Sequence, residues 1–109
     1  MRFVGLTLPL VIATACATTP AQKAGLAREA IATADAAFSS WYIEKQEAAT
    51  EIQEVERLIQ IRQRWEQILA ALVEGTKEAE KDNTTRLDAA RAAAREFLAQ
   101  IGIRVPEAL

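Results

Sequence analysis

The stretch IATADAAFSSWYIEKQEAATEIQEVERLIQ, residues 31–60, decides the fold class. Ile31, Ala34, Phe38, Trp41, Lys45, Ala48, Ile52, Val55 and Ile59 recur in it at alternating steps of three and four. That is the a/d spacing of a helix with one apolar seam. Beyond Ile59 the seam meets Arg62 and passes onto Trp65, Ile68, Leu69, Leu72 and Val73. A helix with 3.6 residues per turn drifts in this way against a strict heptad. Between Ala21 and Glu74 there is no proline, and Gly25 is the only glycine. The pattern therefore predicts one helix over residues 21–74, roughly 80 Å long at about 1.5 Å per residue. A break at Ser39-Ser40 is the alternative, because serine favours helix caps.

Gly75-Thr76 is the first strong breaker after this run, and GTKEAEKDNTT (75–85) is polar throughout. Asp82-Asn83 carries its best turn signal. Whether residues 75–82 stay helical is open from sequence. Thr85 with Asp88 fits the spacing of a capping box. A second helix then runs to Ile101, with Leu87, Ala90, Ala94, Phe97, Leu98 and Ile101 on one face. With Gly102 just past its end, Ile103 falls over Leu98, the contact of a Schellman motif. Pro106 extends the remaining tail, residues 105–109.

The expected fold is all-α. A long N-terminal helix and a shorter C-terminal helix form an antiparallel hairpin over residues 23–104, with a three-helix bundle as the alternative. The second helix has about half the length of the first. The first is thus left with surplus apolar face around Phe38, Trp41 and Ile52, with Tyr42 just off the seam. These four form the candidate partner-binding face.

Composition narrows the chemistry. The 109 residues hold 13 basic and 15 acidic side chains, no histidine and one cysteine. No basic patch of the kind nucleic acid needs is present, so no nucleic-acid partner is expected. Without histidine and with a lone cysteine, no metal site of the Cys/His type can be built, and no cofactor is expected. Glu44, Glu47, Glu51, Glu54, Glu56 and Glu66 are numerous, and Glu47 and Glu51 stand one turn apart. Beside Lys45 and Arg57 they read as a solvated helix face. Arg62 with Glu66 reads as a surface ion pair. Trp41 and Trp65 lie on the seam and read as packing residues. No nucleophile has a base beside it, so no catalytic residue is assigned and the chain is not read as an enzyme.

The first twenty residues carry the clearest functional signal. Arg2 gives a positive start, and Phe3–Ala15 is an uncharged, mostly apolar run. Its roughly 20 Å as a helix falls short of a bilayer core of about 30 Å, so residues 1–15 have the form of a secretory signal peptide. Ala13, Thr14 and Ala15 form the small-residue cleavage region, and the only cysteine, Cys16, follows directly. This segment resembles the lipobox of bacterial lipoproteins, with alanine at 13 where that family usually has leucine. The resemblance implies a Cys16 carrying acyl chains such as palmitate, a membrane anchor through it, and residues 16–22 as a tether. Ala17, where an aspartate would signal inner-membrane retention, implies the periplasmic face of the cell outer membrane.

The chain also resembles the Braun-type murein lipoprotein in its lipidated start and heptad helix. It ends Glu107-Ala108-Leu109 where that family has its wall-bonding lysine, so attachment by that route is not implied. The function expected is a membrane-tethered envelope scaffold whose coiled-coil-like face meets an envelope protein or a second copy of itself. The alternatives are a phage- or mobile-element-encoded envelope lipoprotein acting in lysis or exclusion, and a soluble periplasmic or secreted helical binder.

Overall fold

The computed structural model describes residues 19–107 and 109; the signal-like segment, with Ala13, Thr14, Ala15 and Cys16, lies outside them. The chain is all-helical. Its elements are α1 (Pro20–Ala48), α2 (Ile52–Ala79) and α3 (Thr85–Gln100), and among the described residues there is no strand. The order is up-down-up. Asp35 of α1 meets Trp65 of α2, and Arg28 meets Glu80 beyond its end. Gly75 of α2 meets Leu87 of α3, and the two antiparallel pairs share α2.

α1 starts inside the span expected to be a tether. Thr19 caps it by accepting a hydrogen bond from the Gln22 amide at 3.2 Å, Gln22 Oε1 accepts from the Thr19 amide, and Pro20 fills the first helical position. A proline there loses no helical bond, and its fixed φ suits the helix.

The single helix expected over 21–74 is in fact two, which makes the three-helix arrangement the one adopted. The break lies at 49–51 and not at Ser39-Ser40, which stay inside α1. Ala49 and Glu51 are extended, with ψ near 128° and 148°. Glu54 Oε1 accepts from the amides of Thr50 at 3.2 Å and Glu51 at 3.1 Å, so α2 opens on a carboxylate that satisfies two otherwise orphaned N–H groups. No glycine or proline is needed, and the three-four spacing runs through the corner without a phase change. Periodicity alone therefore could not reveal it. Glu47 and Glu51 are consequently not neighbours on one helix face: one ends α1 and the other caps α2.

Gly75, read as a breaker, is buried inside α2. Its role is close approach. A Cβ placed there would lie 2.7 Å from both the N and the Cα of Leu87. The turn comes later, where Asp82 takes φ 67° and the Asn83 amide donates to the Glu78 carbonyl at 3.0 Å.

The Thr85/Asp88 capping box does not form. Asn83 Oδ1 accepts from the Thr85 amide at 3.2 Å, and Asp88 reaches Lys23 of α1 at 2.6 Å. That hydrogen bond to Lys23 holds the Asp88 carboxyl below the usual carboxylate range.

The end of α3 has the expected Schellman geometry. The Ile103 amide donates to the Leu98 carbonyl at 2.9 Å, the Gly102 amide donates to that of Ala99 at 3.1 Å, and Gly102 takes φ 84°. The tail expected to be extended turns back. The Leu109 amide donates to the Pro106 carbonyl at 3.1 Å, Leu109 is fully buried, and Arg91 Nε donates to its carbonyl oxygen at 3.0 Å.

The core is thin and built from small residues against large ones. α1 contributes Ala24, Ala27, Ala30, Ala34 and Phe38, and α2 contributes Leu58, Trp65, Ile68, Leu72 and Ala79. α3 contributes Leu87, Ala90, Ala94, Phe97 and Leu98. Alanine faces let helix axes approach closely, and the large side chains of α2 fill what remains.

Replacing Gly75 with alanine tests the close approach. Helix propensity alone would favour alanine by about 1 kcal/mol, but the Leu87 backbone cannot yield as a side-chain tip would. The expected result is a net loss of about 1–2 kcal/mol in denaturant unfolding, because overpacking costs roughly 1–3 kcal/mol. A stabilised variant would show that α2 and α3 are not in contact there.

Candidate interaction surface

Three rings, one from each helix, stack at mid-bundle. Phe38 and Trp65 lie 5.4 Å apart between centroids and inclined by 22°; Trp65 and Phe97 lie 5.9 Å apart at 18°. Phe38 is therefore core. It is 4% exposed and enclosed by Trp65 and Phe97, and does not stand on a partner-binding face.

The other three residues of that face part company. Trp41 is half-buried and lines a notch with Leu58, Ile61 and Ile101, on the side where α3 ends. Tyr42 is half-buried and lies on the opposite side, with the Arg62 guanidinium 5.8 Å from its ring centroid. Ile52 is 75% exposed at the α1–α2 corner.

α2 carries two seams one residue apart. The inner one is Leu58, Ile61, Trp65, Ile68, Leu72 and Ala79, all turned to the bundle. The outer one is Ile52, Val55, Ile59, Arg62, Glu66, Leu69 and Val73. Val55, Ile59 and Val73 are 39%, 45% and 44% exposed, and Leu69 is half-buried. The expected seam had carried Ile52, Val55 and Ile59 on from α1 along one helix, with Ile52 on the face left to a partner. They follow a corner at 49–51, and all three are exposed. The signal for two seams was present as adjacent apolar pairs: Leu58-Ile59, Ile68-Leu69 and Leu72-Val73. A helix that buries one narrow seam has no need of such pairs.

Next to the outer seam, α1 supplies the second wall of a long groove. One section, about 530 Å³, is lined by Ile31, Ala32 and Asp35 of α1 and by Leu69 and Val73 of α2. The next, about 380 Å³, is lined by Tyr42 and Ile43 opposite Arg62 and Glu66, with Phe38 and Trp65 at its base. Arg28, Thr76, Lys77 and Glu80 line one end of the groove, the Arg62–Glu66 pair, with an Nε–Oε2 distance of 3.4 Å, stands at the other, and Asp35 and Ser39 lie between them among apolar side chains. The Arg62–Glu66 pair is the surface ion pair read from the sequence. Hydrogen bonding to Tyr42 and then to Glu66 raises the Arg62 pKa further above its ordinary value.

Asp35 was not singled out in the sequence, and it lines both sections of the groove. Its Oδ1 accepts from the indole Nε1 of Trp65 at 2.9 Å, which satisfies the only polar atom of a ring that is 2% exposed.

Among the described residues no group of three or more His, Cys, Asp or Glu side chains is placed to hold a metal ion, and no helix is long and apolar enough to cross a membrane. What the surface offers is a largely apolar groove between charged ends. No protein-family model, no curated protein and no solved structure matches the chain.

Asp35 gives this surface a direct test. Asp35→Ala leaves the buried indole N–H without an acceptor and is expected to cost about 1–3 kcal/mol. Asp35→Asn keeps an oxygen acceptor and is expected to cost clearly less. Equilibrium unfolding followed by tryptophan fluorescence separates the two; equal losses would mean that the hydrogen bond has no part in seating Trp65.

Proposed function

We propose that the chain is a helical interaction module tethered to an envelope membrane through an acylated Cys16. The observation that carries this reading is the apolar groove between α1 and α2, left open by the chain's own core, on a bundle that begins at Pro20. Only Ala17, Thr18 and Thr19 separate Cys16 from that helix.

A tether this short holds the bundle close to the bilayer. Signal cleavage before Cys16, with acylation of its thiol and its freed amine, supplies two or more acyl chains, and two suffice for stable anchoring. Ala17 favours the outer membrane and a periplasmic orientation. α1, about 43 Å long at 1.5 Å per residue, then sets how far from the membrane the groove is displayed. The mechanism is positional: the lipid fixes one end, and the groove meets its partner in a restricted zone where effective concentration is high. No chemical step is involved.

Mass spectrometry of the membrane fraction from cells expressing the wild type and Cys16→Ser tests the tether. The wild type is expected to begin at Cys16 and carry acyl chains, and the serine variant is expected to lose that mass and leave the membrane fraction. Recovery of the wild type in soluble form with an unmodified Cys16 would replace the tethered module by a free periplasmic or secreted helical binder.

A further inference from the structure

We infer that the groove is occupied by the α2 helix of a second copy of this chain, packed antiparallel about a two-fold axis beside Arg64. The inference rests on reading this face as an interaction surface, and it is independent of the tether at Cys16.

The outer seam of α2 is complementary to itself in one direction only. When two copies run antiparallel with the axis at residue 64, Val55 of one falls opposite Val73 of the other, and Ile59 opposite Leu69. Arg62 then falls opposite Glu66, and the same pairs recur on the other side of the axis. Each layer sets an a position against a d position, as an antiparallel pair of heptad helices requires. A two-fold interface must be self-complementary in this sense, with residue i meeting j and j meeting i. The parallel arrangement fails at its centre, because it sets Arg62 against Arg62 and Glu66 against Glu66. Polar layers in an otherwise apolar seam are also a device for fixing register and direction at some cost in stability.

The structure places these residues where such a partner would find them. Arg62 and Glu66 are each 58% exposed at the side chain and line the second section of the groove. The apolar members flank them along α2: Val55 and Ile59 are exposed on the seam before them, beyond the end of the groove, and Leu69 and Val73 line the groove after them. Ile31, Tyr42 and Ile43 of α1 stand alongside and would meet the flanks of the incoming helix. The next layer outward would set Ile52 against Thr76, but Thr76 is 4% exposed. A heptad seam drifts by about 20° per repeat on a straight helix, so α2 turns Thr76 into its own core while Ile52 points out. The seam shared by two copies therefore runs from Val55 to Val73.

Charge reversal tests direction and register together. In Arg62→Glu two pairs of glutamates face each other across the axis, and in Glu66→Arg two pairs of arginines do. Mixed one to one, each variant supplies what the other lacks, and both charged layers become opposite in sign. Sedimentation velocity of the full chain, purified in mild detergent from expressing cells, reads the result.

The wild type is expected to sediment as a dimer at tens of micromolar. Each variant alone is expected to dimerise about tenfold more weakly or worse, since like charges are opposed twice. The mixture and the double reversal are expected to return to the wild-type state. Far-UV circular dichroism checks that the exposed substitutions leave the fold intact. A monomeric wild type, single variants that dimerise as well as the wild type, or a mixture no more associated than its components would each overturn the antiparallel pairing. A monomeric wild type that is nevertheless acylated would leave the tether standing and remove only the second copy.

Discussion

The stack of Phe38, Trp65 and Phe97 is the contact on which the three helices depend. Each helix gives one ring, and Phe38 and Phe97 also approach each other directly, at 6.3 Å between centroids. α1 and α3 share little else apart from the Lys23–Asp88 ion pair at the other end. Away from the stack, α1 offers alanine after alanine, whose burial contributes little apolar area per residue. The wide rings therefore supply the burial that the small residues cannot. The Trp65 indole can sit in this core only because Asp35 accepts its N–H.

This arrangement divides α2 into two faces. Its inner seam is consumed by the stack and by the alanine faces of α1 and α3. Its outer seam, one residue further round, is left beside α1 with no cover from the described residues. Three helices of unequal length make that outcome hard to avoid, because α3 covers α2 from one side and α1 from another. The uncovered arc carries isoleucine, valine and leucine around one ion pair. That exposed series is the surface proposed above as a site of association.

Much of the fold was legible from sequence because helices write their period into it. The all-α class, the turn at Asp82-Asn83 and the Schellman end at Gly102 follow from residue types whose local physics is strong. The corner at 49–51 was hidden because the side chain that satisfies its amides is an ordinary glutamate, Glu54, and because the three-four spacing crosses it in phase. Gly75 misled in the opposite sense: glycine serves close approach as well as breaks, and only the neighbour, Leu87, tells which. The alanine face of α1 was hard to see because alanine is common on both faces of a helix. Of the expected partner face, Ile52 and Tyr42 lie on or beside the open surface, while Phe38 was claimed by the core, since nothing local says that Trp65 and Phe97 will meet it. Asp35 belonged to no motif, and its partner lies thirty residues away.

The most direct measurement is the equilibrium unfolding of Trp65→Ala against the wild type at equal protein concentration, followed by far-UV circular dichroism. If the ring stack joins all three helices, the variant loses about 3–5 kcal/mol, the usual cost of deleting a buried aromatic ring, and its helical signal falls in one broadened, early transition. A loss below about 1 kcal/mol, or a variant in which the helical signal melts in separate steps with the main one unshifted, would contradict a bundle held together at Trp65.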